Sequence, residues 1–206
     1  MHYLIDLDNT LLRTFKVLPN GKRIFLWTEK IQEDLNISPE TLPKLFTQSF
    51  MELLQRKTDV IPIVNDYLKS IKSDIRGEDF IEYWLKHNSK LDMEVWNWVK
   101  YKKKQGHNIH IASDQTILRM DYLWKHFAEW QDVFDNVFTS AKFNVIYKED
   151  KKFFERVLSE LKCSPKDVWL IDDDIINIKS AQRVGINAFL FENAESLKKL
   201  DKSFCA

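Results

Sequence analysis

Cysteine is almost absent. Cys163 and Cys205 are the only two among 206 residues. They are too few for a disulfide framework and fit free thiols in a reducing compartment. Glycine and proline are scarce, with four and five residues, which argues against long irregular loops and for helices joined by short connections. Charge of one sign is not in excess: 31 basic residues meet 31 acidic ones. That balance speaks against a chain whose main task is to coat nucleic acid or an anionic membrane. No apolar run approaches the roughly 18 residues a membrane span needs. The opening MHYLIDLD lacks the basic and apolar regions of a secretion signal. The expectation is a cytoplasmic chain with no membrane partner and no nucleic-acid partner. No fixed-period repeat and no low-complexity segment is seen. What is plentiful is core material, since 13% aromatics supply ample surface to bury.

The apolar runs come in one style. Tyr3-Leu4-Ile5 precedes Asp6, Ile109 to Ala112 precedes Ser113, Asn136-Val137-Phe138-Thr139 precedes Ser140, and Val168 to Ile171 precedes Asp172. Asn187 to Phe191 closes the series. Short apolar runs that end in a polar residue read as buried parallel strands. Helical patterns alternate with them over Met93–Lys104, Thr116–Phe127, Lys151–Leu161 and Ile178–Val184, two of them trailed by Gly106 and Gly185. The Lys102-Lys103-Lys104 run reads as a solvated helix end. The fold class expected is α/β, a Rossmann-like open parallel sheet with flanking helices. In such sheets ligands sit beyond the carboxyl ends of the strands, where the polar residues fall.

Residues 15–90 break the rhythm. An Asn20-Gly21 turn between Val17-Leu18 and Ile24–Trp27 predicts a hairpin. Helical stretches follow over Thr28–Leu35, Thr41–Lys57, Ile63–Ser73 and Glu78–His87. We read 1–14 and 91–206 as an α/β core and 15–90 as an inserted, mostly helical cap.

Two acidic groups stand out. Asp6 and Asp8 lie two apart at the end of the first strand, and Asp172-Asp173-Asp174, with Asn177 beyond, end another. Each has a plain reading, as a polar strand exit or as an acidic helix start. Together they are costly, because like charges repel unless a cation shares them. A divalent metal with oxygen ligands, Mg²⁺ above all, would relieve the repulsion. Ser113, ahead of a helix, could form an anion site with free backbone N–H groups. A zinc site at His107 and His110 is not expected, since the two histidines face opposite ways. Of Trp96 and Trp98, one is expected in the core and the other near the surface. Trp124 and Trp130 read as packing residues.

In this order, DLDNT, IHIAS, Lys148 and WLIDDDIIN with its trailing IKSAQRVGINAFLF resemble the four motifs of the haloacid-dehalogenase-like superfamily, mostly metal-dependent phosphotransferases. Residues 15–90 then stand where the family's C1 helical cap is inserted. The chain departs from the pattern at Asp114, where relatives often have Asn, and at Glu149, where they often have Pro. Lys142, Lys151 and Lys152 are rivals to Lys148. The resemblance implies that Asp6 attacks phosphorus and forms an aspartyl-phosphate. Asp8 would act as acid and then base. Mg²⁺ would be held by Asp6, the Asp8 carbonyl and Asp173, with Asp172, Asp174 or Asn177 in support. Thr10, Ser113, Asp114 and Lys148 would surround the phosphoryl group. Asp8 itself favours phosphoryl chemistry over carbon–halogen cleavage, because true dehalogenases of the family lack it. The activity implied is a Mg-dependent phosphatase of a small phosphorylated molecule. The alternatives are a phosphomutase with the same residues, or a binding or regulatory protein that kept the fold.

Overall fold

The computed structural model describes residues 1–56, 59–144 and 146–203. Along the chain come β1 (His2–Ile5), β2 (Leu12–Arg13), β3 (Phe15–Val17), β4 (Arg23–Phe25), α1 (Ile31–Leu35), α2 (Gln48–Leu54), α3 (Ile61–Ser70) and α4 (Gly77–His87). They are followed by β5 (Lys90–Leu91), α5 (Met93–Lys104), β6 (Asn108–Ser113), α6 (Ile117–His126), α7 (Trp130–Val133) and β7 (Asn136–Thr139). The chain then forms α8 (Lys151–Leu161), β8 (Val168–Asp172), α9 (Ile175–Arg183), β9 (Asn187–Leu190) and α10 (Ala194–Ser203).

The strand runs of the sequence form one five-stranded sheet in the order β7-β6-β1-β8-β9, parallel throughout. This is the Rossmann-like α/β fold expected. Its two faces follow the period of two in a strand. Tyr3, Ile5, Ile109, Ile111 and Ile171 enter one cluster with Val95, Trp96, Val99 and Trp130. Leu4, Ala112, Phe138, Val168 and Leu170 enter the other, with Phe153, Phe154, Val157 and Ile178. Both faces are therefore covered, which is why these strands lack polar alternation. β1 is central, and the chain winds first to β6 and β7, then back to β8 and β9. A crevice at the carboxyl ends falls at that reversal.

Four helices beside the sheet start at side-chain caps. Asp92, Thr116, Asp150 and Asp174 accept hydrogen bonds from backbone N–H groups opening α5, α6, α8 and α9, and each such cap contributes about 1 kcal/mol. Gly106 and Gly185 take positive φ after α5 and α9, where a side chain would be strained.

Residues 15–90 have a core of their own. Trp27, Phe50, Val64, Phe80 and Trp84 lie in one buried cluster, and Leu118 and Tyr122 of α6 pack against it. Within it two helical expectations change. The 41–57 stretch is a 3-10 turn, Pro39–Lys44, followed by α2, because Pro43 interrupts it and Thr47 caps anew. Lys57 lies outside the described residues. The 28–35 stretch shortens to α1 and ends at left-handed Asn36. The hairpin pairs Phe15 with Phe25 and Val17 with Arg23. The expected Asn20-Gly21 turn links the two strands, with Gly21 N–H donating to the Leu18 carbonyl at 2.8 Å and Leu18 N–H to the Lys22 carbonyl at 2.9 Å.

Two further expectations are corrected. Trp96 and Trp98 are both buried, Trp96 beside Trp130 and Trp98 edge-on to Tyr3. Lys102 is not solvated: it is buried, with its ammonium over the Tyr3, Trp98 and Tyr101 rings. Trp130 packs as expected, fully buried. Cys163 is a free thiol; Cys205 lies outside the described residues. Among the described residues, no helix is long and apolar enough to cross a membrane.

Candidate active site

β1 ends at Ile5, and Asp6 follows with its N–H on the Ile171 carbonyl at 3.0 Å. This holds the first acid beside the end of β8. The chain then turns sharply. Leu11 N–H donates to the Asp6 carbonyl at 3.3 Å and Leu12 N–H to the Leu7 carbonyl at 2.7 Å. Asn9 makes the turn possible. It adopts a left-handed conformation with φ 57°, which asparagine tolerates. Its Oδ1 accepts from Thr14 N–H, Thr14 Oγ1 and Phe15 N–H at 3.1–3.2 Å. Thr10 is buried inside the turn, and its hydroxyl has no hydrogen-bond partner among the described residues.

Three carboxylates converge at the crevice. Oxygen atoms of Asp6, Asp172 and Asp173 lie within 4.8 Å of one another. Lys148 reaches the same place from the 140–150 loop, its Nζ 2.5 Å from Asp6 Oδ1 and 2.7 Å from Asp172 Oδ2. Its backbone N–H donates to Asp114 Oδ1 at 3.1 Å. The rival lysines lie elsewhere: Lys142 pairs with Glu160, and Lys151 with Glu155 on α8. Asn177 donates its amide to both oxygens of Asp172, at 3.1 and 3.3 Å. Asp174 is turned to its own helix and accepts from Ile176 N–H at 2.8 Å. The carboxylates of Asp174 and Asp8 thus stand outside the three-acid group. Ser113 and Asp114 close the wall at the end of β6, Ser113 buried.

Burial governs the acid strengths here. It pushes the Asp6 carboxyl well above the ordinary range; Lys148 opposes this, while Asp172 and Asp8 add to it. Burial also lifts Asp114 and Asp173 to about 6, with Asp172 contributing to both and Lys148 opposing both. Burial works against the Lys148 ammonium, but Asp172, Asp6 and Asp114 outweigh it and hold it charged well above the usual lysine value. One ammonium among so many carboxylates leaves negative charge unbalanced. An all-oxygen set of this kind fits a hard divalent cation.

Asp8 has separate partners, which the sequence did not reveal. Gln115 Nε2 donates to Asp8 Oδ2 at 2.5 Å, and Arg119 Nη1 lies 2.8 Å from Oδ1 and 2.9 Å from Oδ2. The one available signal was the spacing of four between Gln115 and Arg119 at the start of α6. An open cleft of about 260 Å³ beside the acids is lined by Asp114, Tyr147, Glu149, Asp174, Ile176 and Asn177. A larger one, about 350 Å³, lies between α2 and α3 against Phe50, Leu53, Ile63 and Tyr67, with none of these acids in its wall.

A family model described as haloacid dehalogenase-like hydrolase matches residues 1–185. Among curated proteins, the chain resembles the sesquiterpene phosphatase astK of Aspergillus oryzae, 28% identical over 95 residues, 46% of this chain and 47% of that protein. The match thus spans about half of that relative's length. Among solved structures, a magnesium complex of a family enzyme from Bacteroides thetaiotaomicron aligns over 97% of both chains with a TM-score of 0.73 and 16% identity. The same enzyme with magnesium and inorganic phosphate aligns over 93% of both chains at 0.69 and 17%. A predicted hydrolase from Porphyromonas gingivalis aligns over 99% of this chain and 97% of its own at 0.72 and 13%. Likeness at such identities speaks to the fold.

Proposed function

The chain belongs to the haloacid dehalogenase-like hydrolase family, and from that premise we propose that it is a magnesium-dependent phosphatase of a small phosphomonoester. The observation that carries this is the meeting of Asp6, Asp172, Asp173 and Lys148 at the sheet's carboxyl edge, with Asp8 two residues from Asp6 on separate partners. Residues 15–90 serve as the cap, of C1 type, and 1–14 with 91–206 as the core. Asp6, Asp172 and Asp173 would hold Mg²⁺, with the Asp8 carbonyl; Asn177 steadies Asp172 by its two amide contacts. Bound there, the ion would neutralise the crowded acids and the charge of the phosphoryl group.

An Asp6 carboxylate oxygen attacks phosphorus, and the bond from phosphorus to the leaving oxygen breaks. Asp8 gives that oxygen its proton. In the second half a water oxygen attacks the aspartyl-phosphate, its proton passes to Asp8, and the bond between Asp6 and phosphorus breaks to release inorganic phosphate. The Lys148 ammonium, already on Asp6, lies where it can meet the phosphoryl oxygens, with Thr10, Ser113 and the backbone at Asp114 around them. The Thr10 hydroxyl, without a partner among the described residues, supports such a place.

The test is phosphate release from p-nitrophenyl phosphate and from a panel of sugar phosphates, nucleotides and prenyl monophosphates; the last follows from the astK relative. Release should require Mg²⁺, stop with EDTA, and fall at least about a thousandfold in Asp6→Asn, as losses of a nucleophile do. Release that survives both EDTA and Asp6→Asn would overturn the reading.

A further inference from the structure

Arg119 lies one turn into α6, and its guanidinium is sealed in the interior, 4% exposed. Its Nη1 donates to Asp8 Oδ2 at 2.9 Å and to Gln115 Oε1 at 3.1 Å, and lies at ion-pair distance, 2.8 Å, from Asp8 Oδ1, which accepts no hydrogen bond among the described residues. Its Nη2 donates to the backbone carbonyl of Asn88 at 2.7 Å. Its Nε is buried with no partner among the described residues. A guanidinium buried for stability alone is best placed with both edges paired to carboxylates. Here the one carboxylate it meets is Asp8, whose side chain keeps about a third of its surface open, 35%.

The other contacts say what the arginine connects. Asn88 follows α4, at the point where the 15–90 segment returns to the sheet. Two residues on, β5 pairs antiparallel with β2, Leu91 opposite Leu12. There Asp92 N–H donates to the Leu11 carbonyl at 2.9 Å, and Arg13 pairs with Asp92 at 2.8 Å. The outgoing and returning chains are thus clasped beside the Asp8 loop, and Arg119 spans from that clasp to the carboxylate.

Resting on the phosphatase reading above, we propose that Arg119 is the positioning residue of the acid–base carboxylate. It holds Asp8 apart from the Asp6, Asp172 and Asp173 group and ties it to the returning chain of the insertion. Gln115 completes the hold: its amide nitrogen donates to Asp8 Oδ2 while its oxygen accepts from Arg119 Nη1. A displacement of the insertion at Asn88 therefore reaches Asp8 through one side chain. Nothing in this places Arg119 on the substrate.

The readout is leaving-group dependence, which a structural role would not move. A dinitrophenolate leaves without a proton, whereas an alkoxide needs one from Asp8. We would measure kcat/KM on 2,4-dinitrophenyl phosphate and on an alkyl phosphate in Mg²⁺, for the native chain, Asp8→Asn, Arg119→Met and Arg119→Lys. Asp8→Asn should lose about 10²–10⁴-fold more on the alkyl substrate than on the nitroaryl one. Arg119→Met should follow the same pattern with about 10–100-fold excess loss, the cost of a misplaced catalytic group. Arg119→Lys keeps the buried charge but not the fork, so it should melt close to the native chain and recover only part of the alkyl activity. If Arg119→Met does not fold, Arg119→Lys carries the readout. Equal losses on both substrates in the Arg119 variants, or none, beside a steep Asp8→Asn, would overturn the proposal and leave the phosphatase reading standing. A flat Asp8→Asn profile would bring down the acid–base assignment and this proposal with it.

Discussion

Lys148 and Arg119 are both buried at the carboxyl edge of the sheet, 2% and 4% exposed, and both face an acid of the 6–8 loop, yet they are partnered differently. Lys148 carries one compact charge between two carboxylates, Asp6 and Asp172. Arg119 carries a planar fork between one carboxylate and two neutral oxygens, those of Gln115 and Asn88. A charge shared by two acids balances them, and another cation can take its place. A fork fitted to one acid and a backbone carbonyl fixes direction, and another cation does not replace it. The two cations thus divide the work on acids only two residues apart.

The largest effect should come from removing the balancing charge. Lys148→Met leaves Asp6 and Asp172 facing each other unpaired. Breaking a buried pair costs about 3–5 kcal/mol, so the metal-free variant should melt well below the native chain. Mg²⁺ should restore more stability to the variant than it adds to the native chain. Turnover should still fall about 10²–10³-fold, the usual cost of losing one donor to a developing anion. Thermal melts with and without Mg²⁺, beside phosphate release, check this. Equal metal stabilisation in both chains would break the contrast with Arg119.

Next in size is the pH dependence of metal affinity. Burial, with Asp172 beside it, holds the Asp173 carboxyl at about 6. A proton there competes with the metal, so Mg²⁺ binding should weaken as pH falls below about 6, by up to about tenfold per unit. Titration calorimetry across pH 5–8 would show this, and a constant affinity would remove Asp173 from the ligand set.

The effect that should touch the site least lies at the far end of the sheet and serves as a control. His2 Nδ1 and His110 Nε2 lie 3.0 Å apart, with stacked rings. Burial, then the neighbouring His2, lowers His110 to about 4. The unfolded chain binds this proton near 6.5 and the folded chain only near 4. Stability should therefore fall as pH drops from about 6.5 to 4, by on the order of 3 kcal/mol. His110→Gln should flatten that slope, and Mg²⁺ should leave it unchanged. A slope that instead follows the metal would mean that it arises at the carboxyl edge.

How much of this could be read in advance differs between the two cations. Lys148 stood at a motif position, although three neighbouring lysines competed with it. It was separated from them by space alone: Lys142 and Lys151 have carboxylate partners at the surface. Arg119 lies in ILRMDYLWKH, where an arginine reads as one more solvated helix residue. Its burial comes from α6 being pressed between the sheet and the 15–90 cluster. Asp174 shows the opposite case. It counted as a metal candidate by adjacency, but α9 begins one residue later and claims its carboxylate as a cap. Within residues 15–90, apolar spacing located α3 and α4 well, while Pro43 and Asn36 shortened their neighbours.

The sequence by itself determined the strand order along the chain, the burial of both sheet faces and the acids at the strand ends. These are local properties: an unbroken apolar run with a polar stop needs no knowledge of its neighbours. Only the tertiary structure decided which charges share a space. That choice is made by pairing across the sheet, Ile5 with Ile111 on one side and Ile171 on the other. This pairing brings residues 6, 114, 148 and 172 together from separate segments. Electrostatic energy depends on distance and on the medium between charges, and neither exists until the chain has folded around them.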